Sequence, residues 1–171
     1  MNLNELSKQV HSAHIKWWQD PATGQPIQRN QFELLALAIS ELSEMLEGVR
    51  KNLMDDHLPN RRMEEVEAAD FAIRILDFAG GFKLELVEIA APSPELLHPN
   101  KGQAIFFITH YLTKFPTEQA YALSYSLFLI RSYCAQHGLD LEGAMTEKLA
   151  FNAQREDHKH KARLIAGGKR F

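Results

Sequence analysis

The chain has 171 residues, 45% of them apolar and 24% charged, a composition that suits one soluble globular domain able to bury its own core. A net charge of -3 and a pI near 6.2 supply no broad basic surface, which argues against extended binding to a nucleic-acid backbone but leaves room for a small anionic ligand at a locally electropositive site. The lone Cys134 excludes an intrachain disulfide and an all-cysteine zinc site, and it reads as a small buried apolar group.

Leu3, Leu6, Val10, His14 and Trp17 recur at three- and four-residue steps, which predicts an amphipathic helix over residues 2–18 that stops at Asp20-Pro21. Pro-Ala-Thr-Gly-Gln-Pro then forms a loop, and Asn30 is placed to cap the next helix. Residues 32–49 are rich in strong helix formers and apolar on nearly every face in their first half, the mark of a buried central helix. A polar connection over 52–60 leads to a third helix over 61–78. Gly80-Gly81 is expected to break or kink it, with helical continuation over 82–90. Pro92, Pro94, Pro99 and Gly102 make 91–102 an irregular connection. Helices follow over 103–114 and 117–136, the second ended by Gly138, and Asp140 can cap a last one reaching about Arg155. Residues 158–171 read as a solvated tail. The expected fold class is all-α: one domain over 1–171, a helical bundle with a central antiparallel helix pair. The polar start and the lack of a long apolar run predict a cytoplasmic protein without a membrane span.

Acidic residues on the two central helices carry the chemistry. Glu41 and Glu44 lie three apart on one helix and Glu67 and Asp70 three apart on the next, so each pair projects from one face. If the helices fold back about Asp55-Asp56, Glu41 comes level with Asp70 and Glu44 with Glu67. Leu37, Ala38, Leu42 and Met45 flank one pair, and Val66, Ala69, Phe71 and Ile73 the other. Four carboxylates meeting in such surroundings repel one another and lose hydration, at a cost of roughly several kcal/mol per uncompensated ion. A hard divalent cation resolves both problems, and all-oxygen ligands select Mg²⁺, Mn²⁺ or Ca²⁺ over zinc. The plainer alternative is a pair of ordinary solvated helix faces, which Glu47 and Glu64 would simply extend.

These residues and their flanks resemble the MazG-like family of all-α nucleoside triphosphate pyrophosphohydrolases, especially its small phage and bacterial forms. WWQDPATGQPIQRNQFELLALAISELSEMLEGVR is similar to that family's Trp-containing first helix, loop and first metal-binding helix, and EVEAADFAIRILDFAG to its second. EKLAFNAQREDHKHKARLIAGGKRF is similar to its Lys-x-x-x-Asn-x-x-Arg ending. The likeness covers a little over half of the chain and does not include 82–140. Ser40 stands before Glu41 where many members carry a second Glu, which leaves the number of metal ions open.

The resemblance implies that Glu41, Glu44, Glu67 and Asp70 form the catalytic metal site, with Mg²⁺ as cofactor and Mn²⁺ as a substitute. The implied reaction cleaves a nucleoside triphosphate between its α and β phosphates. It also implies a homodimer or homotetramer, and makes Lys148 and Asn152 phosphate contacts. Lys148, Asn152 and Arg155 share one helix face, where a cation, an amide and a guanidinium can meet phosphate oxygens. Trp17 and Trp18 each offer a flat face to a base, but about 100° apart on a helix they are not expected to share one role; core packing accounts for at least one, and Trp17 is the candidate substrate contact. The other class of function open to the same fold is a catalytically silent nucleotide-sensing or protein-interaction module. His11 with His14, His158 with His160, and Glu95 with His98 each lack the further ligands of a transition-metal site.

Overall fold

The computed structural model describes residues 2–89, 95, 97–155 and 160–165. Among them the regular structure is helical, apart from two isolated bridges, Gln19 with Pro26 and Met54 with Arg62. The all-α class is therefore as the sequence predicts.

Helix α1, Leu3–His14, begins at Asn2, whose side chain accepts from the Asn4 amide, and it tightens into a single 3-10 turn over Ile15–Trp18. The Trp18 carbonyl accepts from Ile27 (3.0 Å), closing the loop that Pro21 and Gly24 shape. Helix α2, Gln31–Lys51, starts where Asn30 accepts from the amides of Phe32 and Glu33. It ends at Asn52, which with Lys83 takes the left-handed conformation among the described non-glycine residues. Helix α3 is Met63–Phe82, α4 Lys101–Leu112 and α5 Phe115–His137, the last interrupted at Glu118 and Gln119. Asp140 caps α6, Leu141–Gln154, by accepting from Gly143 (2.9 Å).

Helix α3 is the core. Val66, Ala68, Ala69, Phe71, Ile75, Leu76, Phe78 and Ala79 are all buried, and the helix touches α1, α2, α5 and α6. Each large side chain taken from water contributes about 1.5–3 kcal/mol. Gly48 of α2 sits against Met63 and Glu64, while Glu41 reaches Arg74, so contacts descend along α3 as they ascend along α2.

Two expectations are corrected. Gly80-Gly81 does not break α3, and no helix covers 83–89. The glycines serve close packing: a Cβ at Gly80 would stand 2.6 Å from His11 Cβ, and one at Gly81 would stand 2.2 Å from two Trp18 ring carbons. The helix stops one residue later, with Lys83 in the left-handed region at φ 56°. The second correction concerns the predicted tail. Helix α7, His160–Arg163, forms one turn whose Arg163 is buried, donates to the Lys16 carbonyl and lies 4.5 Å over the Trp17 ring. Residues 156–159 and 166–171, residue 90 at the end of the expected continuation, and 91–94 and 96 of the connection read as irregular lie outside the described residues. No described helix is long and apolar enough to cross a membrane.

Candidate functional site

Three of the four predicted acids converge. Carboxylate oxygens of Glu41, Glu67 and Asp70 lie within 4.8 Å of one another, and no other such group of His, Cys, Asp or Glu occurs among the described residues. Glu41 and Glu67 are each 5% exposed. Glu44 is not part of the trio. Three residues advance a helix by about 300°, so Glu44 is rotated roughly 60° off the Glu41 direction. Its side chain is exposed at the edge of the site, with its carboxyl raised by partial burial and by the charge of Glu41. The expected four-acid group is thus a group of three, in which Glu41 shares a hydrogen bond with Glu67.

The electrostatics are those of crowded, half-dehydrated acids. Burial first, and then the charges of Asp70 and Glu41, push the Glu67 carboxyl far above the usual carboxylate range, and it shares a hydrogen bond with Glu41. Asp70 is pushed up to about 6 by burial, a shift that the neighbouring Lys148 ammonium restrains. Two cations already answer part of this charge. Arg74 Nε donates to Glu41 Oε1, and Lys148 Nζ lies 2.8 Å from Asp70 Oδ2. Lys148 is only 3% exposed; burial opposes its charge, but Asp70 more than offsets this and raises its pKa.

Asp70 also forms part of the wall of a cleft of about 290 Å³. Trp17, Lys148, Asn152 and Arg155, the four residues expected to contact substrate, line this same cleft, with His14, Arg29, Leu34, Leu37, Ile73, Arg74 and Asp77. Helix α6 brings Lys148, Asn152 and Arg155, α3 brings Asp70, Ile73, Arg74 and Asp77, and the 3-10 turn brings Trp17. Trp18 faces the core instead, its indole donating to both Asp77 oxygens at 3.1 and 3.2 Å. The polar apolar balance of the lining, with flat apolar surface beside several cations, suits a ligand that is part aromatic and part anionic.

Sequence reasoning missed Arg74 and Arg29. Arg74 was legible, since it stands at i+4 from Asp70 and i+7 from Glu67 on the same face of α3. Arg29 carries no periodic signal, because it precedes the Asn30 cap in a loop. Asp55, in the turn between α2 and α3, is buried and accepts from the amides of His57 and Leu58. His57 in turn rests on Phe151 of α6. Glu64, one of the outer acids, is buried and accepts from Tyr133 and from Lys101 (2.7 Å), while Glu47 pairs with Arg50 and Lys51 at the surface. The histidine pair of α1 binds protein groups: His11 Nδ1 lies 2.8 Å from Asp77, and His14 Nδ1 lies 3.0 Å from the Val10 carbonyl. His98 accepts from the Asn100 amide. His158 and the His160 side chain lie outside the described part.

None of the family models, curated proteins or solved structures compared with the chain matches it. The functional reading rests on the site and on the resemblance of its motifs.

Proposed function

We propose that this chain is a Mg²⁺-dependent nucleoside triphosphate pyrophosphohydrolase of the MazG-like kind, releasing a nucleoside monophosphate and pyrophosphate. The observation that carries the reading is the meeting of Glu41, Glu67 and Asp70 beside a cleft that also holds Trp17, Lys148, Asn152 and Arg155. An all-oxygen donor set of buried acids fits a hard divalent cation, Mg²⁺ or its substitute Mn²⁺. Such an ion supplies Lewis acidity toward phosphate oxygens.

The protein's own groups divide the remaining work. Arg74 and Lys148 hold Glu41 and Asp70 in the metal-free chain. With a cation held by those carboxylates, both side chains would be available to the phosphates, with Asn152 and Arg155 on the same helix as Lys148. A carboxylate of the group orients a water and accepts its proton as the oxygen attacks the α phosphorus. The bond from that phosphorus to the bridging oxygen breaks, and pyrophosphate leaves with the electron pair. Trp17, one face of which is covered by Arg163, offers its other face to the base. A homodimer or homotetramer accompanies this reading, by the resemblance alone, and so does a cytoplasmic location.

The second reading is a catalytically silent nucleotide-binding or interaction module. What favours it is that Arg74 and Lys148 already balance two of the three carboxylates without an ion. Pyrophosphate release from a panel of ribo- and deoxyribonucleoside triphosphates, with Mg²⁺ and with EDTA, separates the two. Metal-dependent release of monophosphate plus pyrophosphate is expected. Glu41→Gln and Asp70→Asn should each lower it by more than about a hundredfold, since even the outer partners of metal ligands act on a scale of 10–100-fold. A folded protein that turns over nothing in the panel returns the chain to the silent class.

A further inference from the structure

Among the described residues, Arg29 is the arginine or lysine of the cleft whose placement the phosphate chemistry above does not use. Its residue surface is only 7% exposed, and among the described residues no carboxylate forms an ion pair with it. Nη1 donates to the Trp17 carbonyl at 2.7 Å, and the guanidinium lies 5.7 Å from the Trp18 ring centroid. Nη2 is buried and has no hydrogen-bond partner. A buried guanidinium with an unmet donor is costly, because dehydrated N–H groups are not repaid.

Position along α3 tells which part of a ligand this donor would meet. Asp70 holds Lys148 beside the acids, and Asp77 holds Trp18, next to Arg29. Seven residues of helix separate the two, about 10 Å at 1.5 Å per residue. That span is of the order that separates the phosphates of a nucleotide from its base. The walls between are apolar or aromatic: Leu34, Leu37, Ile73 and Trp17. The other unmet atom in this cleft is an acceptor, Asn152 Oδ1, also buried and without a partner. A phosphate, having only acceptors, satisfies Arg29 but not that oxygen. A base edge carries both donors and acceptors and can satisfy each, which leaves the Asn152 amide nitrogen as the group that donates to phosphate.

Resting on the function proposed above, we infer that the Trp17 end of the cleft holds the nucleobase and that Arg29 Nη2 donates to a ring carbonyl on its edge. Arg29 is then a specificity residue that favours guanine, uracil, thymine and cytosine, which carry a ring carbonyl, over adenine, which has none. Engagement takes a small side-chain rearrangement of the lining, since Arg29 borders the cleft but its Nη2 is buried. The role of the bond to the Trp17 carbonyl is to hold the guanidinium still while its other nitrogen reads the ligand.

The experiment is equilibrium binding of non-hydrolysable α,β-methylene deoxynucleoside triphosphates bearing guanine, uracil or adenine, and of inorganic tripolyphosphate, all with Mg²⁺. The wild type should bind the guanine or uracil analogue at least about tenfold more tightly than the adenine one, the scale of one well-made base contact. Arg29→Met should erase that preference and leave tripolyphosphate binding unchanged. Arg29→Lys keeps the charge and a donor for the Trp17 carbonyl but not the second nitrogen, so it should lose the preference too, and it serves if the Met variant does not fold. Equal loss of tripolyphosphate and nucleotide binding in the variants would put Arg29 on the phosphates and overturn the inference. So would a wild type that prefers adenine or has no preference, while the proposed function would survive. Failure of every analogue and of tripolyphosphate to bind would sink both.

Discussion

Glu67 is where the candidate site can be tested at the level of one atom. Its carboxyl is 5% exposed, hydrogen-bonded to Glu41 and close to Asp70, with its pKa raised mainly by burial. Replacing it by Gln keeps the shape and a donor toward Glu41 and removes the cost that burial and neighbouring acids impose on this carboxyl, which the folded chain meets by taking up a proton. Glu67→Gln should therefore stabilise the metal-free protein, by about 1 kcal/mol or more if even one pKa unit of strain is relieved. The same change should abolish the stabilisation that Mg²⁺ confers. Urea unfolding with and without the ion reads both effects, and opposite signs are the signature of a group kept for binding rather than for the fold. A Gln variant less stable than wild type without metal would make Glu67 a structural acceptor instead. Cys134 gives the contrasting case of a buried group with no such strain: burial pushes its thiol up to about 12, so it should stay unreactive toward alkylating agents until the protein unfolds.

Among the helices, α3 carries most of the design, and its two glycines show how propensity and packing can disagree. Helix propensity alone predicts that Gly81→Ala would stabilise by roughly 1 kcal/mol. The new methyl would instead fall 2.2 Å from the Trp18 ring, which Asp77 anchors through the indole nitrogen. The expected result is a loss of about 1–3 kcal/mol, the range for overpacking a rigid site, measured by thermal or urea unfolding. Because Trp18 is followed in the chain by the loop to Arg29 and preceded by Trp17, the variant should also weaken nucleotide binding in the assay above. A stabilised Gly81→Ala protein would mean that the α1 segment does not pack on α3 as described. Helix α6 shows the opposite economy, since one face at residues 148, 152 and 155 serves the site and the other end is pinned by Arg61 to Asp140 and Glu147.

The whole molecule should respond to pH and Mg²⁺ together. Glu67 and Asp70 have folded pKa values raised above their unfolded ones, Asp70 to about 6. Between an unfolded carboxylate's ordinary value and those raised values the native state binds more protons than the unfolded chain. These two groups therefore add stability as pH falls from about 8 toward 5, and take it away as pH rises. Bound Mg²⁺ requires the carboxylates ionised, so its stabilising effect should run the other way and shrink as pH falls through about 6. Thermal unfolding across that window, with Mg²⁺ and with EDTA, should show two curves that converge at acid pH. Parallel curves would remove the ion from this cluster.

The helical class and the caps at Asn30, Gly138 and Asp140 were legible in the residues themselves. These features are local: periodicity, propensity and capping act within a few residues of the positions that encode them. The acidic pairs were legible for the same reason, each being a matter of spacing on one helix. What only the tertiary structure decided was which of these groups meet. It placed Glu44 at the edge, where rotation of a packed helix and not spacing chooses the inward face. It joined Arg74 to Glu41 and Lys148 to Asp70, contacts between residues far apart in the chain. It kept α3 continuous through Gly80 and Gly81, because the room for α1 and Trp18 depends on another helix's position. Arg29, a loop residue without periodicity, acquires meaning only once Trp17, Trp18 and the cleft surround it.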